Sequence, residues 1–263
     1  MVVKNNLKLI FSYFKLNFKK EYKYKASFYM QMLMMVLNDL FFIIQWYIIF
    51  NIVDNIGGYG FKETMLLFAI AAGAFGFAHT FFYGAWSIKD AVYEGKLDVF
   101  LTQPKNVLIN TCCSTTDVSG LGDMIYSFIV LAIIGAPWHW YLLMIPAIIF
   151  AGLLYTAVYV VFVSLCFYIK RGDAVAKSVE STLNKAANYP PAIYNVGIKA
   201  LFFTLIPTFF YTFVPVQYFF LTPNVWWIIG LIAFVSLWVA LAFFCFNKGL
   251  KKYNSGNLMG GRL

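Results

Sequence analysis

The chain has 263 residues, 62% of them hydrophobic and 12% charged, with a mean hydropathy of +0.73. These values exclude an ordinary soluble domain, and apolar runs of about 20 residues recur, so the sequence describes a multi-span membrane protein. The net charge of +9 would suit nucleic acid on a soluble chain; here its distribution speaks for bilayer orientation, and no nucleic-acid partner is expected.

Residues 1–27 open the chain. Lys4, Lys8, Lys15, Lys19, Lys20, Lys23 and Lys25 alternate with Leu7, Phe11, Phe14 and Phe18 at helical spacing, which predicts an amphipathic helix lying on the bilayer surface. A disordered basic tail would not keep an apolar stripe over three turns. A secretory signal is disfavoured because the apolar run starts only at Phe28 and no small-residue cleavage site follows it.

The first span is read over 28–50, roughly 35 Å of helix. Asn38 and Asp39 lie at its middle. A carboxylate at that depth costs about 2.5–3.5 kcal/mol on insertion scales, so Asp39 must face protein or a wet cavity. It serves either the transport path or a helix-to-helix hydrogen bond. A glycine-rich turn with Gly57, Gly58 and Gly60 precedes the second span, 65–86, whose Ala69, Ala72, Gly73, Gly76 and Gly84 allow close backbone approach. His79 lies in its inner half, within possible reach of Asp39, as a relay or as a packing hydrogen-bonder.

Residues 87–117 form a polar loop. Asp90, Ala91, Tyr93, Glu94, Leu97 and Asp98 fit about three turns of one helix that Pro104 ends. The plain alternative is a solvated connector. The third span is read over 118–137, the aromatic turn Trp138–Trp140 follows, and the fourth span covers 141–169. Lys170 to Lys199 reads as a second polar, basic loop, with a helix over 173–187 ended by Tyr189, Pro190 and Pro191. No charge occurs from Ala200 to Phe246. Thr222, Pro223 and Asn224 divide that run into a fifth span, 200–221, and a sixth, 226–246, while Pro207 and Pro215 predict a re-entrant break in the fifth. Residues 247–263 form a polar tail.

Seven Lys/Arg fall in the N-terminal tail, three in the central loop, five between spans four and five, and four in the C-terminal tail; of the 20, only Lys62 falls on the other side. The positive-inside rule then places both termini and both long loops in the cytoplasm. Cys112, Cys113, Cys166 and Cys245 are expected as reduced thiols.

The chain lacks a G-x-x-x-x-G-K-[ST] loop, so it does not bind ATP in the P-loop manner by itself. It has two histidines, no H-E-x-x-H and no C-x-x-C, and no paired carboxylates are expected within the spans. No catalytic residue, metal ligand or cofactor of its own is therefore expected. An ion-driven carrier shows several intramembrane ionisable groups; the sequence offers only Asp39 and His79.

The order of landmarks is informative. YEGKLDVFLTQPKN stands in the central loop, DVSGLGD before the third span, YPPAIY (Tyr189–Tyr194) before the fifth, then Ile206-Pro207 and Val214-Pro215. Together they resemble the permease subunits of type 2 ATP-binding-cassette exporters, in particular the bacterial branch with a G-x-L-D-x-x-L-x-x-P loop, matched by Gly95, Leu97, Asp98, Leu101 and Pro104. The resemblance covers nearly the whole chain. The TCCSTT run after the loop departs from the pattern.

That resemblance implies an all-α integral membrane protein with six transmembrane helices, an interfacial N-terminal helix, a cytoplasmic coupling helix after the second span and a re-entrant hairpin between the fifth and sixth. It implies a second permease, identical or homologous, two copies of a separate ATPase that binds ATP and Mg, and a bacterial cytoplasmic membrane. Glu94, Gly95, Lys96, Leu97, Asp98, Leu101 and Pro104 would dock the ATPase. The expected pathway residues are Asn38, Asp39 and His79, with Phe202, Phe203, Phe209, Phe210 and Tyr211 as aromatic walls for an amphipathic peptide, lipid or drug-like substrate; lipid-facing packing is the alternative for the aromatics. Two other functions stay open: a self-sufficient carrier or channel, and a non-transporting scaffold or sensor.

Overall fold

A computed structural model describes residues 2–254. The chain is helical throughout, with no strand among the described residues beyond an isolated bridge between Ile56 and Tyr59. In order the helices are α1 (Val2–Tyr22), α2 (Lys25–Phe50), α3 (Phe61–Phe82), α4 (Ile88–Tyr93), α5 (Asp98–Leu101), α6 (Val107–Cys113), α7 (Ser119–Ile133), α8 (Trp138–Val163), α9 (Gly172–Ala187), α10 (Val196–Thr204), α11 (Thr208–Tyr211), α12 (Phe213–Pro215) and α13 (Val225–Leu250). Residues 255–263, most of the expected tail, lie outside the described residues; its first part continues α13 to Leu250.

Four helical stretches are long and apolar enough to cross a bilayer by themselves: Lys25–Phe50, Phe61–Tyr93, Trp138–Phe167 and Val225–Leu250. The chain is thus a multi-pass membrane protein. Around α3 the packing is tight because small residues face neighbouring backbones. A methyl group on Gly76 would sit 2.3 Å from the Gly120 carbonyl oxygen, and one on Gly152 would sit 2.9 Å from that of Ala74. These contacts bring α7 and α8 against α3, whose residues from Thr64 to Ile70 are all buried. In α7, Gly122 approaches the Met32 carbonyl in the same way and seats α2. The remaining surface of α2 exposes Leu33, Met34, Phe41, Ile44 and Tyr47.

The molecule has two distinct ends. At one, α1 is held where Asn17 Nδ2 donates to the Cys113 carbonyl at 3.1 Å, and Phe14 packs on Phe81 with ring centroids 4.8 Å apart. At the other, Trp46 near the end of α2 meets Tyr189 at 5.8 Å, Gly57 packs tightly against Ala192, and Tyr59 donates to Gln217 at 3.4 Å.

This geometry corrects the reading of the second half. The expected loop 170–199 holds α9, which starts at Gly172, packed on Cys166 at the first end, and ends at Ala187, from where the chain leads to Tyr189 and Ala192 at the second. The expected fifth span, 200–221, is not one crossing helix but four short pieces, α10 to α12 and a π-turn over Val216–Leu221. Thr208 has no regular partner for its N–H and bonds the Ile206 carbonyl at 2.6 Å, since Pro207 interrupts the ladder. Lys185 and Lys199 therefore stand away from the central-loop end. Hydropathy misses α9 because Asp173, Lys177, Glu180, Asn184 and Asn188 form a polar stripe along it, while Ala176, Val179, Leu183, Ala186 and Ala187 are buried. A helix with one face packed on protein need not be apolar all round.

Candidate functional site

The polar loop does not form the single three-turn helix that the spacing predicts. Gly95 adopts a left-handed conformation (φ +74°), which any other L-residue resists, and α4 stops at Tyr93. Leu97 is then driven into the core, fully buried, and its N–H bonds the Ala91 carbonyl at 3.2 Å. The short α5 follows, with Val99 62% and Leu101 44% exposed, beside exposed Asp98 and Pro104. Lys96 forms an ion pair with Glu94 at the tip; both are more than half exposed. The element is a knob with one apolar root and an apolar and acidic crown.

Its base is braced. Gln103 accepts from Asn110 of α6 at 2.9 Å, and Asn106 caps α6 by accepting from the Ile109 N–H at 3.1 Å. The TCCSTT run, for which the sequence gives no account, ends this helix and seats it. A methyl on Gly84 would meet the Thr111 carbonyl oxygen at 1.9 Å, so α6 lies directly on the backbone that follows α3. Burial pushes the Cys113 thiol up to about 12 and the Cys112 thiol well above its ordinary range, with Cys113 beside it adding to the rise. Both stay protonated at neutral pH.

The same base reaches α9. Trp86, just after α3, donates from Nε1 to Glu180 Oε1 at 2.7 Å, stacks on Tyr159 at 4.6 Å, and shares Glu180 with Tyr155, whose hydroxyl donates at 3.4 Å. Trp86 and Glu180 escape sequence reasoning individually. The four-, three-, four- and four-residue spacing of Asp173, Lys177, Glu180, Asn184 and Asn188 is the signal that could have found that face.

A polar cavity of about 170 Å³ opens between α2, α3, α7 and α9. Asn38, Asp39, Asp123, Asn184, Asn188 and Tyr211 line it, with Phe42, Phe68 and Phe75 as aromatic walls. Asp39 and Asp123 are 4% and 1% exposed, and their carboxyls interact with each other. Two carboxyls are thus paired in space, which the sequence, read linearly, did not show. His79 does not join them. Its Nδ1 stands 3.5 Å from Asp117 Oδ2, and its ring lies 3.8 Å from that of Phe75 and 4.4 Å from that of Trp86. Of the five aromatics, only Tyr211 reaches this cavity, its hydroxyl donating to the Leu183 carbonyl at 2.9 Å. Phe202, Phe203 and Phe209 pack on one another, and Phe210 stacks on Phe234 at 3.8 Å.

Among the described residues no cluster of His, Cys, Asp and Glu could hold a metal ion. Neither a curated protein nor a solved structure matches the chain. The family model described as ABC-2 family transporter protein matches residues 33–256, a span that includes the exposed knob, the acidic cavity and the broken segment before α13. The chain belongs to the ABC-2 transporter family, as one of its membrane-embedded permease components.

Proposed function

We propose that the chain is half of a dimeric ATP-driven exporter, crossing the bacterial cytoplasmic membrane six times with both termini inside. Helices α2, α3, α7, α8, α9 and α13 are the six crossings, and α10 to the π-turn form a re-entrant hairpin on the outer side. The proposal supplies this chain with a second permease, identical or homologous, and two ATPase subunits, which bind ATP and Mg. Hydrolysis takes place in those partners, and this chain contributes no catalytic group.

The observation that carries the reading is the knob on a braced base. Leu97 anchors it, while Asp98, Val99, Leu101 and Pro104 are presented outward for a partner, with Glu94, Gly95 and Lys96 setting the turn. Movement of this element acts on Trp86 and, through the 2.7 Å bond to Glu180, on α9. Because Asn184 and Asn188 of α9 line the acidic cavity, displacement of α9 changes that cavity. Alternating exposure of a pathway needs an element that has two discrete positions; α9 is connected to both sites, as is α3, which lines the cavity and runs on into Trp86.

The test is Asp98→Ala with Leu101→Ala, made together, in a chain co-expressed with its ATPase. The expected result is at least a tenfold loss of the co-purified ATPase and of ATP-dependent transport in proteoliposomes. Undiminished association and transport would remove the docking role. A second reading, an ion-driven carrier that needs no ATPase, gains support from the Asp39–Asp123 pair. Solute movement by the chain alone in liposomes under an ion gradient would favour it.

A further inference from the structure

Within the membrane-embedded part, Asp39 and Asp123 meet in a cavity to which no Lys, Arg or His contributes among the described residues. Both side chains are more than nine-tenths buried. The Oδ2 atom of each has no hydrogen-bond donor, although both residues line an open cavity. Two carboxyls in contact share a proton unless a cation stands between them and lets both stay ionised. The walls distinguish among cations. A hard metal ion wants six or more oxygens and few rings, whereas here Phe42 and Phe68 stand 4.8 Å apart beside Phe75, and aromatic faces attract organic cations. Asn184 and Asn188 add amide oxygens from α9. The volume, about 170 Å³, compares with about 150 Å³ for a cavity that takes a benzene-sized guest, so it admits a headgroup and leaves a longer apolar tail in the membrane.

We propose that this cavity receives the ammonium or guanidinium head of a cationic amphiphile, and that such cations are the class of substrate the permease carries. The inference rests on the transporter reading above, since it uses the same cavity. Asp39 and Asp123 supply the charge, the rings exclude water, and the α9 amides orient the head and release it when that helix moves.

The experiment uses the full chain in phosphatidylcholine nanodiscs with dansylcadaverine, a primary amine, and its N-acetylated neutral counterpart. Fluorescence is corrected with empty nanodiscs. The amine is expected to bind saturably and at least tenfold more tightly than the amide, and Asp39→Asn and Asp123→Asn each to weaken it at least tenfold in monodisperse preparations. Equal binding of amine and amide, or no saturable binding of either, overturns the inference, and that wild-type comparison decides it even if both variants misfold. ATPase co-purification is read separately: association retained without amine preference sinks only the substrate assignment, whereas amine preference without an ATPase partner sinks only the coupled-exporter reading.

Discussion

Trp86 shows how a single side chain connects distant parts of this molecule. Its indole N–H meets a half-buried Glu180 at 2.7 Å, a charge-assisted bond that costs more to lose than a neutral one. Trp86→Phe keeps an aromatic ring against Tyr159 while removing the donor together with part of the indole's packing surface. We expect it to destabilise the fold by about 1–3 kcal/mol in denaturant titrations and to uncouple ATP hydrolysis from transport; unchanged coupling would show that the knob acts through another route. Cys112 and Cys113 give a second test. Their thiols are buried and held protonated, so maleimide at pH 7 should label them at least tenfold more slowly in the folded chain than in denaturant. None of these roles is visible residue by residue in the sequence. Asp39 stands out there as a carboxylate mid-span, but its partner Asp123 is 84 positions away, and only the crossing of α2 with α7 brings the two together.

Among the elements, the four apolar helices were legible because lipid demands apolar side chains of whatever faces it. Helix α9 was legible as a helix, while its place as a crossing belongs to the proposed arrangement, since its polar stripe hides it from any hydropathy window. Of the charges that made 170–199 look cytoplasmic, Lys170 and Arg171 precede α9, Lys177 lies on that stripe, Lys185 sits in the last turn of the helix and Lys199 lies beyond it. The motif in the central loop was legible, but the shape of that loop was not: a glycine at φ +74° breaks the helix, and local periodicity cannot foresee a reversal that lets Leu97 turn inward. Close helix contacts give the sharpest prediction at this scale. Gly76→Ala puts a methyl 2.3 Å from the Gly120 carbonyl and 2.7 Å from the Asp123 Cβ, so α3 and α7 must separate. The expected outcome is a loss of about 1–3 kcal/mol and weaker amine binding, read by thermal unfolding and by the dansyl assay. A variant of wild-type stability would mean that the two helices are not packed as described.

At the scale of the whole molecule, the account depends on which end each segment occupies. The central polar loop and the turn that joins α9 to α10 lie at opposite ends, because Tyr189 and Ala192 pack against Trp46 and Gly57 while Tyr93, the last residue of α4, donates to the Ile169 carbonyl just before α9. Family membership, shown over 33–256, says what kind of protein this is; in the proposed mechanism, the polar α9 running between the ends carries force applied at Lys96 to the cavity. The most direct measurement replaces Lys96 or Val196, both exposed, with cysteine in a chain otherwise free of cysteines, and labels intact cells with a membrane-impermeant maleimide. The account predicts that Val196→Cys reacts from outside and Lys96→Cys only after permeabilisation. Labelling of both from the same side would contradict it.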